Sequence, residues 1–81
     1  MHKIKVLIAD DHTMVRQGLR MMLAGQSDIE VVGEASNGRE AVQRARELDP
    51  DVVILDLSMP ILNGLEATRQ IVRDNPRIGV L

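Results

Sequence analysis

Four short apolar runs alternate with three amphipathic stretches along the chain. Ile4-Lys5-Val6-Leu7-Ile8-Ala9 is nearly continuous in apolar and β-branched residues, the pattern of a strand buried on both faces. Asp10-Asp11-His12-Thr13 breaks that run and offers helix caps. From Thr13 to about Ala24, Val15, Leu19, Met22 and Leu23 recur at spacings of three and four, which predicts an amphipathic helix stopped by Gly25. Residues 29–35 read as a second strand, more polar and therefore nearer the edge of a sheet. Asn37 followed by Glu40 is a capping-box-like start in which Asn stands in for Ser or Thr. The helix it opens runs to about Leu48, with Ala41, Val42, Ala45 and Leu48 on one face, and Asp49-Pro50-Asp51 turns the chain. Residues 52–57 form the most hydrophobic run and so are expected near the centre of the sheet. Asn63 with Glu66 repeats the cap, and a third helix runs to about Asp74, with Leu65, Thr68, Ile71 and Val72 at helical spacing. Asn75-Pro76 ends it, and residues 78–81 begin a fourth strand.

The order β-α-β-α-β-α-β, with strands apolar on both faces, predicts an α/β fold: a doubly wound parallel sheet with helices on both sides. Composition narrows the function. The chain has 81 residues, a net charge of -2, 44% hydrophobic residues, no cysteine and no aromatic residue. One domain is the most that this length holds. Disulfides, thiolate metal sites and thiol nucleophiles are excluded, as is a stacking platform for single-stranded nucleic acid. A net charge this close to zero argues against binding a phosphate backbone by electrostatics alone. No apolar run approaches the ~18 residues of a membrane span, and the start is strand-like rather than a signal peptide, so a cytoplasmic location is expected.

The candidate chemistry is acidic. In an open α/β sheet, functional residues gather at the carboxyl ends of the strands where strand order reverses. The first strand ends in Asp10-Asp11 and the third carries Asp56 near its end. If these strands are neighbours, three carboxylates converge. The first turn lacks the glycines of a nucleotide site, and two acids there repel phosphate unless a cation lies between them. Mg²⁺ suits such a place, being hard and oxygen-seeking. Asp56, alone on its strand, is the better candidate nucleophile for phosphoryl transfer, with Asp10 and Asp11 as a metal cradle. Plainer readings stand beside this one. Aspartates after strands often only cap helices or form turns, although an acid among the apolar neighbours of Asp56 is costly to bury unpaired.

The Asp10-Asp11 turn and Asp56-Leu-Ser-Met-Pro-Ile-Leu-Asn-Gly64 resemble the receiver domain of two-component response regulators. The stretch from Asp10 to Leu23 is similar, more narrowly, to the NarL/FixJ (LuxR-type) subfamily, and residues 35–42 and 49–56 fit as well. The resemblance implies a flavodoxin-like (CheY-like) sheet in the order 2-1-3-4-5, which the family shares with flavodoxin. It implies that Asp56 accepts phosphate from a sensor histidine kinase or a small phosphodonor. It implies that Mg²⁺ is held by Asp11 directly, Asp10 chiefly through water, Asp56, and the backbone carbonyl of Ser58. It implies a bacterial signalling module that assists its own phosphorylation, not a turnover enzyme, and that controls transcription through a separate C-terminal DNA-binding domain.

A complete receiver has five βα units, with a Ser or Thr ending its fourth strand and a Lys ending its fifth. Residues 1–81 are therefore expected to be the N-terminal two-thirds of a receiver, cut within strand 78–81 and lacking the output face. The alternative function is then a fragment without switching activity that self-associates through the open edge of its fourth strand and the uncovered sheet faces. An aspartyl phosphatase is the weakest reading, because Leu57, Ser58 and Met59, not a second acid, follow Asp56. Of the remaining residues, His12 reads as a helix-start residue, with a pH-sensitive neighbour of the acids or a ligand as the other possibility. His2 is expected exposed. Met14, Met21 and Met22 read as adaptable core packing, and Met59 as packing under the loop. Arg16, Arg20, Arg39, Arg44 and Arg46 read as solvated helix surface, and Asn63-Gly64 as a cap.

Overall fold

The computed structural model describes residues 3–56, 59 and 62–81. Its order is β1 (Ile4–Ala9), α1 (Thr13–Ala24), β2 (Ile29–Ala35), α2 (Gly38–Leu48), β3 (Val52–Leu55), α3 (Gly64–Asp74) and β4 (Gly79–Val80). The strands form one parallel sheet in the order β2-β1-β3-β4. The polar strand β2 lies at an edge and the hydrophobic β3 lies inside, as their compositions predict.

Handedness distributes the helices. The chain moves one way from β1 to β2, then back across β1 to β3 and on to β4. Right-handed crossovers therefore place α1 on one face and α2 and α3 on the other. On the α2/α3 face, Leu7 and Ala9 of β1 and Val53 and Leu55 of β3 meet Ala41, Val42 and Ala45 of α2 and Ala67 and Ile71 of α3. Ala35 of β2, Met59 and Ile78 complete this buried cluster. The two helices are also joined by an ion pair between Arg46 and Asp74, at 2.7 Å. Close packing here needs a bare backbone at one point: a Cβ on Gly38 would lie 1.7 Å from the carbonyl oxygen of Leu62.

The caps behave as read. Asn37 accepts a hydrogen bond from the Glu40 amide at 2.8 Å, and Asn63 accepts one from the Glu66 amide at 2.9 Å. Glu40 reaches one residue past the cap, its carboxylate accepting the amide of Ser36 at 3.0 Å rather than that of Asn37 as in a standard capping box.

Three expectations are corrected. The third strand ends at Leu55, not at 57: Asp56 lies past its end, although its amide still bonds to the Ala9 carbonyl of β1 at 2.9 Å, and Leu57 lies outside the described residues. The fourth strand is Gly79–Val80, not 78–81, because the Ile78 amide closes a turn onto the carbonyl of Asn75. Leu81 still exchanges both hydrogen bonds with β3, through Val53 and Leu55. The largest correction concerns α1. No residue of this helix is buried. Leu19 and Leu23 are half-buried, Val15 is exposed, and Met14, Met21 and Met22 are 84%, 77% and 71% exposed rather than core. An amphipathic stripe reports which side of a helix is apolar. It does not report whether anything lies against that side.

Candidate functional site

Asp10 and Asp56 are the first residues past the paired ends of β1 and β3. Ala9 sits opposite Leu55 in the parallel register, so the next residue on each strand emerges at the same level. The Asp56 amide bonds to Ala9, and the Asp10 amide bonds to the Ala35 carbonyl of β2, at 3.0 Å. Asp10 is therefore pinned between two strands, with its side chain only 14% exposed. Asp56 is half-buried and Asp11 is exposed.

Oxygens of Asp10, Asp11 and Asp56 and a ring nitrogen of His12 all lie within 4.8 Å of one another. The convergence that the sequence made conditional on β1 and β3 being neighbours is thus present. Ser58, whose carbonyl was expected to join it, lies outside the described residues, as does His2. His12 combines both of its readings. It is the N-cap residue of α1 without a capping side-chain bond, and its Nδ1 lies 2.9 Å from carboxylate oxygens of both Asp10 and Asp11. The hydrogen bond to Asp10, then the charge on Asp11, hold the imidazole pKa above its ordinary 6.5. The Asp10 carboxylate also accepts the His12 amide at 2.8 Å, turning the chain from strand into helix.

Arg16 departs from its reading as solvated surface. Its Nε donates to Glu34 of β2 at 3.1 Å, its Nη1 donates to the Asp10 carbonyl, and the side chain is 15% exposed. Arg20 pairs with the same Glu34. One signal for Arg16 was available in sequence. Helical side chains lean toward the helix N-terminus, so a long one in the first turn reaches back over the turn before it. Its partner on β2 was not visible that way.

Three carboxylates around one point suit a hard divalent cation, which prefers several oxygens and tolerates water in the remaining positions. A groove of about 500 Å³ between the C-terminal ends of α2 and α3, lined by Ala45, Asp49, Ile71 and Asn75 among others, lies away from the acids.

Residues 6–81 match the response regulator receiver domain. The chain belongs to that family. It is 55% identical over 78 residues to the response regulator protein VraR of Staphylococcus aureus, covering 96% of this chain and 37% of VraR. It thus spans little more than a third of the curated relatives that it matches. The response regulator domain of Thermotoga maritima CheB superposes with a TM-score of 0.90 at 44% identity, over 93% of this chain and 56% of that one. The receiver domain of a NarL regulator from Mycobacterium tuberculosis gives 0.89 at 32% identity, over 99% and 64%. These relatives are bacterial, and NarL-type receivers are among them. Receivers are signalling domains rather than a classical enzyme family, and they bind Mg²⁺ at an acidic pocket of the kind that this receiver places at the ends of β1 and β3. No helix among the described residues is long and apolar enough to cross a membrane.

Proposed function

We propose that this receiver accepts a phosphoryl group on Asp56 from a sensor histidine kinase or a small phosphodonor. The observation that carries the reading is the convergence of Asp10, Asp11 and Asp56 at the carboxyl ends of two adjacent parallel strands. Asp10, Asp11, Asp56 and the carbonyl of Ser58 are the residues that would hold Mg²⁺. The ion would neutralise charge on the phosphoryl group during transfer. A carboxylate oxygen of Asp56 attacks phosphorus and forms an acyl phosphate. The bond from phosphorus to the donor breaks, and its electron pair leaves with the donor, an imidazole nitrogen or a carboxylate. Asp10 is fixed by its bonds to β2 and to α1, so the acids are arranged before the donor arrives. In this reading residues 1–81 would be the N-terminal part of a longer cytoplasmic protein, in which the event would control a C-terminal DNA-binding domain. Incubation with acetyl phosphate and Mg²⁺, read by intact mass, is expected to add one phosphoryl group, with complete loss in Asp56→Asn and on chelation of the metal. Persistent labelling of Asp56→Asn, or none of the wild type, overturns the reading.

A second reading, self-association of the 81-residue chain, rests on a different observation. Among the described residues β4 pairs with β3 alone, and Ile54 and Val80 are only half-buried on their strands. An open apolar edge of this kind templates pairing with another chain. Light scattering is expected to show a dimer or larger species. A monodisperse monomer overturns it.

A further inference from the structure

We propose that Arg16 is a positioning residue for the cation site, a role that deepens the reading of Asp10 and Asp11 as metal ligands and rests on it. Asp10 is held at three points. Its amide donates to the Ala35 carbonyl, one carboxylate oxygen accepts the His12 amide, and its carbonyl accepts Nη1 of Arg16. The first two bonds come from the neighbouring strand and the turn itself. The third is supplied across the sheet edge. Arg16 is anchored by Glu34, which β2 presents one residue before Ala35. Thus β2 grips Asp10 twice, once directly through Ala35 and once through Glu34 and Arg16. Arg16 also donates to the hydroxyl of Thr13, at 3.4 Å, so the same guanidinium spans the first turn of α1. A planar guanidinium spreads its donors over a rigid fork and so bridges three separated acceptors, whereas the three donors of a lysine all sit on one nitrogen.

The peptide bond that follows the Asp10 carbonyl leads into Asp11. Rotation of that peptide moves the Asp11 carboxylate relative to those of Asp10 and Asp56. Arg16 therefore sets the mutual placement of the three acids without touching the cation.

Charge and position predict opposite signs, which makes the proposal testable. Arg16 is a cation close to a cation site. If its only influence were electrostatic, removing it would relieve repulsion and tighten Mg²⁺ binding. If it positions Asp10, removing it weakens binding, by about tenfold or more as for other residues that orient metal ligands.

The experiment measures Mg²⁺ affinity of the 81-residue chain by calorimetry and Mn²⁺ affinity by water proton relaxation. The variants are Arg16→Met, Arg16→Lys and Glu34→Gln, with Arg44→Met as an exposed control of equal charge loss. Each is measured below its own melting temperature, with folding checked by circular dichroism. Arg16→Met and Arg16→Lys are both expected to lose affinity, the lysine variant although it keeps the charge. Glu34→Gln is expected to lose less, and Arg44→Met is expected to match the wild type. A merely structural role would lower the melting temperature and leave the affinity of the folded protein unchanged. Equal or tighter binding by folded Arg16→Met overturns the proposal, and Arg16→Lys and Glu34→Gln decide in the same way if the methionine variant does not fold. Failure of the wild type to bind either ion overturns the reading of the acidic site and this inference together. Normal wild-type binding with unchanged variants overturns the inference alone.

Discussion

The two faces of the sheet are closed by different forces. Toward α2 and α3, Leu7, Val53, Ala41, Ala67 and Ile71 are almost fully buried, and the two helices pack on each other as well as on the strands. Toward α1, Val6 and Ile8 are buried beneath a helix that buries none of its own residues. Beside the half-buried Leu19 and Leu23, what ties α1 down is polar: Arg16 and Arg20 on Glu34, Arg16 on Asp10, and His12 on the acids. β3 shows the contrast within one strand, with Val53 and Leu55 buried on the α2/α3 side while Val52 and Ile54, pointing the other way, are half-exposed. Apolar closure is not screened by moderate salt, whereas closure by exposed charges is weakened by it. The acidic site lies at the α1 end of β1, so its geometry depends on the weaker kind of closure.

The largest expected difference comes from truncating the closed face. Ile71→Ala removes a fully buried side chain and should cost about 2–5 kcal/mol in urea unfolding. Met22→Ala on α1 should stay within about 0.5 kcal/mol. Comparable losses at the two positions would erase the distinction between the faces. Gly38→Ala follows. The added methyl meets the Leu62 backbone, which cannot rotate away, and the expected cost is about 1–3 kcal/mol in the same assay. A neutral result would mean that the loop before α3 yields freely.

The charged face responds less. Glu34→Ala removes the shared partner of Arg16 and Arg20, but exposed and half-exposed ion pairs contribute only about 0–1 kcal/mol each. Its effect should be local, with faster amide hydrogen exchange in α1 and unchanged exchange in α2 and α3. Added salt should produce the same pattern in the wild type. Uniform acceleration across all three helices would show that the two faces unfold as one unit.

The difference between the faces also marks what the sequence could and could not disclose. Strand and helix bounds followed from period and caps, and β1, β2 and all three helices lie where Ile4, Ala35, Asn37 and Asn63 put them. The meeting of Asp10 with Asp56 needed the strand order, which a pattern of apolar residues does not encode and which the family resemblance supplied. Arg16 was misjudged because its role depends on Glu34, eighteen residues away on another element. An arginine on a helix has the same local signature whether it points to water or into a turn. The methionines of α1 were misjudged for the complementary reason: apolar spacing was legible, and the missing cover was not.

The smallest expected effect is the most local. His12 opens α1 and bonds to Asp10 and Asp11 at the end of β1, so it joins the loosely held helix to the site. Its pKa is raised, chiefly by the Asp10 hydrogen bond and then by the Asp11 charge, with Asp56 adding to these. A group whose folded pKa exceeds its unfolded value stabilises the fold while protonated in both states, and that contribution is lost as pH rises through the folded pKa. The metal-free wild type should therefore melt above His12→Gln at a pH of about 5.5, and the gap should narrow as pH is raised past the His12 pKa. Nuclear magnetic resonance of the imidazole should place its midpoint above 6.5. Asp10→Asn should lower that midpoint more than Asp56→Asn does, because Asp10 supplies the hydrogen bond as well as charge. A midpoint at or below 6.5, or a stability gap that widens with pH, would mean that His12 is not tied to the acids in solution. The imidazole would then add nothing to the bonds that Arg16 and the His12 amide make with Asp10.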